Sequence, residues 1–317
     1  MSDRSSRSTA PRTSVVVPSY RGADRLPVLL DAFSRQTETD FEIVVVIDGD
    51  EDGSADVVRR AAGDLAVRAV VLPENRGRVA ALNAGFEAAR GEVLVRCDDD
   101  LEPAPDYVAA HAARHTGPPV GVVGIYRDVL GEGTYQRVYG LPREERLRRG
   151  AYAGRLATWH YWAGNCSVTR ATWELVGPYC AAYTHYGWED VDYGYRLHQA
   201  GIPVVLAPEL ETVHHGAATS TLSRTLRAYH SGAARRTFEA RHDGVLPAPS
   251  AGGGWWGSLV TATTRLSQEE RFERLARLVD QALPAVPAPV GDKLVSLCVE
   301  AASLAGYENA PSVSARF

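Results

Sequence analysis

The sequence predicts an α/β protein: a mostly parallel mixed sheet flanked by helices, with a helical C-terminal extension. Three observations carry this. Four β-branched apolar runs recur within the first hundred of 317 residues, with segments of helical periodicity between them. Three of the four runs end in polar groups, which gathers chemistry beyond the carboxyl ends of a sheet. Beyond about residue 217 the pattern is helix and linker only.

The elements follow in order. SVVVPSY (14–20) is a buried strand by pattern, and ADRLPVLLDAFSRQ (23–36) spaces its apolar residues as a helix does. FEIVVVIDG (41–49) is a second strand, SADVVRRAAGDL (54–65) a second helix and VRAVVLP (67–73) a third strand. RVAALNAGFEAARG (78–91) is a helix of small residues closed by Gly91, and EVLVRCDDD (92–100) is the fourth strand. Such alternation gives a parallel sheet covered on both faces. Further on, WAGNCSVTR (162–170) reads as a strand and ATWELVG (171–177) as a short helix. EDVDYGYRLHQAG (189–201) is a helix with acids in its first turn and glycine at its end, as the helix dipole favours. IPVVLAP (202–208) is another strand, followed by ETVHHG (211–216). PAPSAGGGWWG (247–257) is a linker by composition. SQEERFERLARLVDQAL (267–283) opens with a capping box, Ser267 and Glu270, and places Phe272, Leu275, Ala276, Val279, Ala282 and Leu283 on one face.

Composition narrows the function. Hydrophobic residues at 45% and charged residues at 23% describe a globular chain, and a net charge of −5 argues against a general nucleic-acid binder. Lys293 is the sole lysine, as in an arginine-rich bacterial proteome. The four cysteines show no CxxC pair and read as reduced, mostly buried thiols of a cytoplasmic protein. No apolar run approaches the roughly 18 residues that span a bilayer. Residues 1–12 lack an apolar segment and read as a disordered tail.

Candidate chemistry centres on Asp98, Asp99 and Asp100. Along a strand, Asp98 and Asp100 point to one side and Asp99 to the other. Two carboxylates at a strand end suit a hard divalent cation, although an acidic exposed turn would read the same way. Glu189 and Asp190 are either functional carboxylates or ordinary first-turn acids. Of the adjacent His214 and His215, only one can face a site at the end of a strand. Trp159, Trp162 and Trp188 form either a sugar-stacking wall or core. Residues 143–155 carry five arginines against two glutamates, and residues 224–241 carry five against Glu239. These stretches are either solvated helix faces or contacts for an anionic acceptor or membrane surface.

Taken in order, these motifs resemble the inverting family-two nucleotide-sugar glycosyltransferases, which have the Rossmann-like GT-A fold. The resemblance covers about residues 13–216. VVVPSYRG is similar to the family's opening strand, which implies that Pro18, Ser19 and Tyr20 touch the donor nucleotide. EIVVVIDGDEDGS is similar to the second strand, with Asp48 matching the acid that holds base or ribose; the longer turn leaves Asp50 and Asp52 without an assigned role. NRGRVAALNAG implies a base contact from Arg78. CDDDLEP is similar to the family's DxD, implying that Asp98 and Asp99 serve the donor and that Asp100 holds Mn2+ or Mg2+. GNCSVTR resembles the acceptor-side strand, which brings in Asn165 beside Trp162 and Trp188 as acceptor contacts. GWEDVDYGYRL is similar to the ED motif, implying Asp190 as catalytic base with Glu189 beside it. VHHG matches the late histidine that completes the metal site, His214 by position.

The resemblance implies a GT-A domain over 13–216, its donor half about 13–103 and its acceptor half about 104–216. A helical extension over 217–317, with a linker near 243–257, follows. It implies metal-dependent transfer from a nucleoside-diphosphate sugar, UDP-linked, with galactose or N-acetylgalactosamine favoured. The acceptor is a hydroxyl of a glycan, a lipid-linked molecule or a natural product, with peripheral membrane contact where the acceptor is lipid-linked. Two rivals stand beside it. A sugar-phosphate nucleotidyltransferase would show a glycine-rich loop with lysine, which VVVPSYRGADR lacks. A non-catalytic sugar-nucleotide or glycan-binding protein is disfavoured by Asp98, Asp100 and Asp190.

Overall fold

A computed structural model describes residues 10–184 and 186–312; the tail expected at 1–12 falls mostly outside them. In chain order the elements begin with β1 (Thr13–Ser19), α1 (Leu26–Ser34), β2 (Phe41–Asp48), α2 (Ser54–Ala61), β3 (Val67–Leu72), α3 (Arg78–Ala88) and β4 (Val93–Cys97). There follow β5 (Leu101–Glu102), α4 (Tyr107–Ala113), β6 (Gly121–Val123), β7 (Tyr126–Asp128), α5 (Leu141–Tyr152), β8 (Asn165–Thr169) and α6 (Arg170–Val176). The chain continues through α7 (Glu189–Gln199), β9 (Val204–Leu206), β10 (Thr212–His214), α8 (Thr221–Arg241), α9 (Gly254–Thr264), α10 (Glu269–Ala282) and α11 (Ala288–Glu308).

The chain forms two compact units. The first contains residues up to Arg127 with Ala157–Tyr179 and Tyr193–His214; the second contains Asp128–Leu156, Cys180–Asp192 and the chain from His215 onward.

The first unit is built on a seven-stranded sheet of order β3-β2-β1-β4-β8-β6-β9. β1 pairs in parallel with β2 and β4, and β2 with β3. β8 runs antiparallel between β4 and β6, which makes the sheet mixed, and β9 is parallel to β6. The β-branched runs explain the centre: Val15, Val16, Val17 and Ile43 to Ile47 have no exposed surface. Leu26, Leu29 and Phe33 cover one face of these strands, and Ala81 meets Val44 and Val46 on the other. Gly85 lets α3 approach closely, because a Cβ there would collide with Val16 and Val46. The order reverses at β1, flanked by β2 and β4, so the crevice beyond their carboxyl ends is where an open α/β sheet binds ligands. A second sheet, β5-β10-β7, pairs His214 with Leu101 across an antiparallel ladder. The four cysteines are free thiols, three of them buried.

The second unit is helical. Tyr229, Val260, Phe272, Ala301 and Ala305 form one core within it. Tyr135, Val138 and Tyr139 pack with Val279, Leu283, Val295 and Cys298 in another, which is why residues before α5 belong with the C-terminal helices. Two local expectations fail here. The Ser267–Glu270 capping box does not form: Gln268 is the N-cap of α10 with no side-chain bond, and Ser267 sits at φ 56. The linker reading also ran too far, since α9 starts at Gly254 and takes Trp255 and Trp256 into a helix. The capping box that does form is Ser220 with Ser223, at the start of α8. Among the described residues no helix is long and apolar enough to cross a membrane.

Candidate active site

The aspartate triplet lies just past β4, in a turn, and its three carboxylates go three ways. Asp99 turns under the end of β1, where Ser19 donates to it at 2.6 Å and Arg25 donates at 2.8 and 3.0 Å. Burial pushes its carboxyl up against the pull of Arg25 and Ser19. A side chain so engaged braces the turn. Ser19 is committed to the same bond, and Pro18 beside it is buried in β1. Tyr20, by contrast, is exposed at the strand end.

Asp98 is held by Arg96, whose Nε and terminal nitrogen donate at 2.8 and 3.2 Å. Arg96 is fully buried within β4. Burial opposes ionisation of Asp98, but Arg96, Arg78 and His214 together hold its carboxyl below the ordinary range. Arg78 itself is exposed at the first position of α3. The loop leading to it is fixed by Asp48, which accepts the N–H groups of Arg76 and Gly77 at 2.7 and 2.8 Å. Asp50 and Asp52 fold back on the start of α2: Asp50 accepts from Ala55, and Asp52 from Ala23 and Ser54.

Asp100 faces His214, with Oδ2 and Nε2 3.4 Å apart. The His214 ring stacks on Tyr126 at 4.5 Å between centroids. Asp100 Oδ1 is buried and has no hydrogen-bond partner among the described residues. A buried carboxylate oxygen left unsatisfied is costly, and a cation beside it removes the cost. A carboxylate with an imidazole fits Mn2+, and fits Mg2+ where phosphates and water complete the shell. Among the described residues no group of three or more His, Cys, Asp or Glu gathers as a metal cage. His215, the neighbour, is exposed.

Two expected acceptor contacts are core residues. Asn165 has no exposed surface, and its amide is fully engaged. Its nitrogen donates to the Leu210 carbonyl and the Thr212 hydroxyl; its oxygen meets Tyr107 and His111. Trp162 is 3% exposed, donates to the Tyr179 hydroxyl and stacks on Tyr193. Trp159, also buried, stacks on His160. The sugar-wall reading therefore fails for Trp159 and Trp162. The aromatic and polar knot around Asn165 was invisible in sequence because its members are far apart along the chain.

In the second unit, Trp188 has φ 68, an uncommon left-handed backbone for a bulky side chain and one that concentrates at functional segments. Its indole donates to Ser231 at 3.1 Å, and the Arg235 guanidinium lies 5.5 Å from its ring. Glu189 is buried and Asp190 half-buried in the first turn of α7. Asp192 is wholly buried and gathers Tyr183 at 3.1 Å, His242 at 2.8 Å and Arg241 at 3.5 Å. This knot anchors the turn that carries Glu189 and Asp190.

The glycosyl transferase family 2 profile matches residues 14–173. Validoxylamine A glucosyltransferase of Streptomyces hygroscopicus subsp. jinggangensis is 28% identical over 309 residues, covering 86% of this chain and 72% of that protein. An undecaprenyl-phosphate 4-deoxy-4-formamido-L-arabinose transferase of Pseudomonas fluorescens is 43% identical over 100 residues, 30% of each chain. A mannosyltransferase from Pyrobaculum calidifontis, solved in complex with GDP-Man and Mn2+, is similar in structure with a TM-score of 0.61 at 23% identity, over 92% of this chain and 86% of that one. The chain has the α/β GT-A-like fold, belongs to glycosyl transferase family 2 and is a nucleotide-sugar glycosyltransferase.

Proposed function

We propose that this enzyme is metal-dependent and inverting, and that it moves a hexose from a UDP-sugar to an acceptor hydroxyl. The observation that carries the reading is the Asp100–His214 pair with its buried, unpartnered carboxylate oxygen. These two residues would hold Mn2+ or Mg2+. When bound, such a cation offsets the negative charge that grows on the departing diphosphate. Asp98, kept ionised by Arg96 and Arg78, accepts from the ribose hydroxyls. Asp48 shapes the base pocket with Tyr20 and Arg78.

On the acceptor side, Asp190 takes the proton of the hydroxyl as it attacks the anomeric carbon, and Glu189 orients the acceptor. Trp188 offers an aromatic face to that sugar. The name of the glucosyltransferase relative favours glucose as the first donor to test, ahead of galactose and N-acetylgalactosamine. The acceptor is a soluble glycan or natural product, or a lipid-linked molecule as the name of the arabinose transferase suggests. A lipid-linked acceptor would bring the enzyme to the cytoplasmic face of a membrane.

The test is a panel of UDP-, GDP-, dTDP- and CDP-hexoses with and without Mn2+, read as released nucleoside diphosphate. The anomeric configuration of the product is then determined by NMR. Metal-stimulated turnover with inversion supports the reading. Turnover indifferent to metal removes the role of Asp100 and His214, and retention of configuration removes the acceptor-side base. Asp190→Asn should lower kcat by about 10²- to 10⁴-fold with donor affinity nearly unchanged.

A further inference from the structure

A cavity of about 350 Å3 lies inside the second unit, walled by α8, α9, α11 and the loop around Ser250. Its volume is that of a small-molecule site. Arg224 and Arg227, one helical turn apart on α8, both line it. Arg224 Nε is buried without a hydrogen-bond partner among the described residues. Arg227 is braced, donating to the Gly216 carbonyl at 2.9 Å, with its guanidinium 5.7 Å from the Tyr186 ring.

The acids nearby are engaged elsewhere. Glu300, on the cavity wall, accepts the Trp256 indole N–H at 2.9 Å. Asp280 caps α8, accepting the Thr221 and Leu222 N–H groups at 2.8 and 3.1 Å. A third cation, Arg143, is close enough that burial first, and then the Arg224 charge, hold its guanidinium below the ordinary range. No ion pair joins Arg224 or Arg227 to a carboxylate among the described residues, and partly buried cations without such a pair favour an anion. Arginine's planar fork matches the oxygens of a phosphate.

We infer that this cavity binds a phosphate group carried by the acceptor substrate. Ser231 ties the cavity to the proposed chemistry: it lines the wall and also accepts the Trp188 indole N–H, two residues before Asp190. Calling the ligand an acceptor rests on the reading of Asp190 as base; the anion site does not. A phosphate seated on Arg224 and Arg227 would anchor the acceptor beside the segment 187–190, leaving its hydroxyl to be presented to Asp190.

Calorimetric titration of the full chain, without metal or nucleotide, tests this with two probes, glucose 1-phosphate and octyl phosphate. Both should bind. Arg224→Gln and Arg227→Gln should each weaken binding by about 10-fold or more, the loss expected for a hydrogen bond to a charged group. Ser250→Asp changes an exposed loop residue on the cavity wall, leaves the helices intact and should also weaken binding through like-charge repulsion. Tighter binding of octyl phosphate assigns the anion to a lipid-linked acceptor, and tighter binding of glucose 1-phosphate to a soluble one; either supports the site. The inference is overturned if the wild type binds neither probe. It is equally overturned if the arginine and Ser250 variants bind as the wild type does. Full turnover by Asp190→Asn would remove the assigned base and leave the anion site to the titration alone.

Discussion

Arg96, with none of its side chain exposed, grips Asp98 through two hydrogen bonds of 2.8 and 3.2 Å. Its guanidinium also lies 5.8 Å from the Tyr179 ring. The pair sets the charge of the proposed ribose-binding carboxylate from beneath the sheet end. Breaking a buried ion pair strands a charge, so Arg96→Met should cost about 3–5 kcal/mol in a urea titration. Arg96→Met/Asp98→Asn should recover part of that loss, since the stranded carboxylate is gone. An additive double variant would mean that the two charges do not depend on each other.

Gly164 leaves room for that carboxylate. A Cβ on it would collide with the Asp98 carboxyl and the Tyr126 hydroxyl. Gly164→Ala should displace Asp98 and reduce donor affinity by about 10²-fold, the scale of loss for a misplacement near 1 Å. Circular dichroism should stay unchanged, and unaltered UDP-sugar affinity would show that Asp98 is not a donor contact.

Asn165 should behave as a stability residue. Asn165→Leu leaves the Tyr107 hydroxyl, His111, the Leu210 carbonyl and the Thr212 hydroxyl short of a partner. The cost should be about 3 kcal/mol or more. Below the melting transition, KM for the acceptor should match that of the wild type; a raised KM would restore Asn165 to the acceptor site.

His111 and His115 set an acid limit. Burial pushes their imidazoles down to about 3 and about 4 respectively, so both stay neutral in the fold. Both meet the Ser167 hydroxyl, and His111 also meets Asn165. Unfolded histidine titrates near 6.5, so the unfolded chain binds protons first as pH falls. Stability is therefore full above about 6.5 and lost below it, by up to about 1.4 kcal/mol per pH unit for each histidine, down to their folded values. Denaturation midpoints at pH 7, 6 and 5 check this. His111→Gln should flatten the slope; a slope unchanged by the variant would place the acid sensitivity elsewhere.

The donor half was legible because its signals are local. Strands β1 to β4 are built around β-branched apolar runs, and Ser19, Asp48 and the triplet all stand at or just past strand ends, so period and position sufficed. Alternation along the strand failed for the triplet itself, because β4 stops at Cys97 and Asp98–Asp100 follow turn geometry. Buried partners were out of reach for another reason. Arg96 reads as a charge inside VLVRC, and only the fold reveals that Asp98 receives it. Asn165 with His111, and Asp192 with His242, are joined across 54 and 50 residues, and no periodicity reports such pairs. The short strands β6 and β7, three residues each, offer too little pattern to read.

Asp100 and His214 carry the proposed metal dependence, and its most direct test is calorimetric titration of UDP-glucose into wild type and Asp100→Asn, each with and without Mn2+. Wild type should bind at least about 10-fold more tightly with the metal, a margin of about 1.4 kcal/mol. Asp100→Asn should lose that margin and bind alike in both conditions, with its melting temperature preserved. An Asp100→Asn protein that keeps the full Mn2+-dependent gain in affinity would contradict the assignment of the metal to this pair.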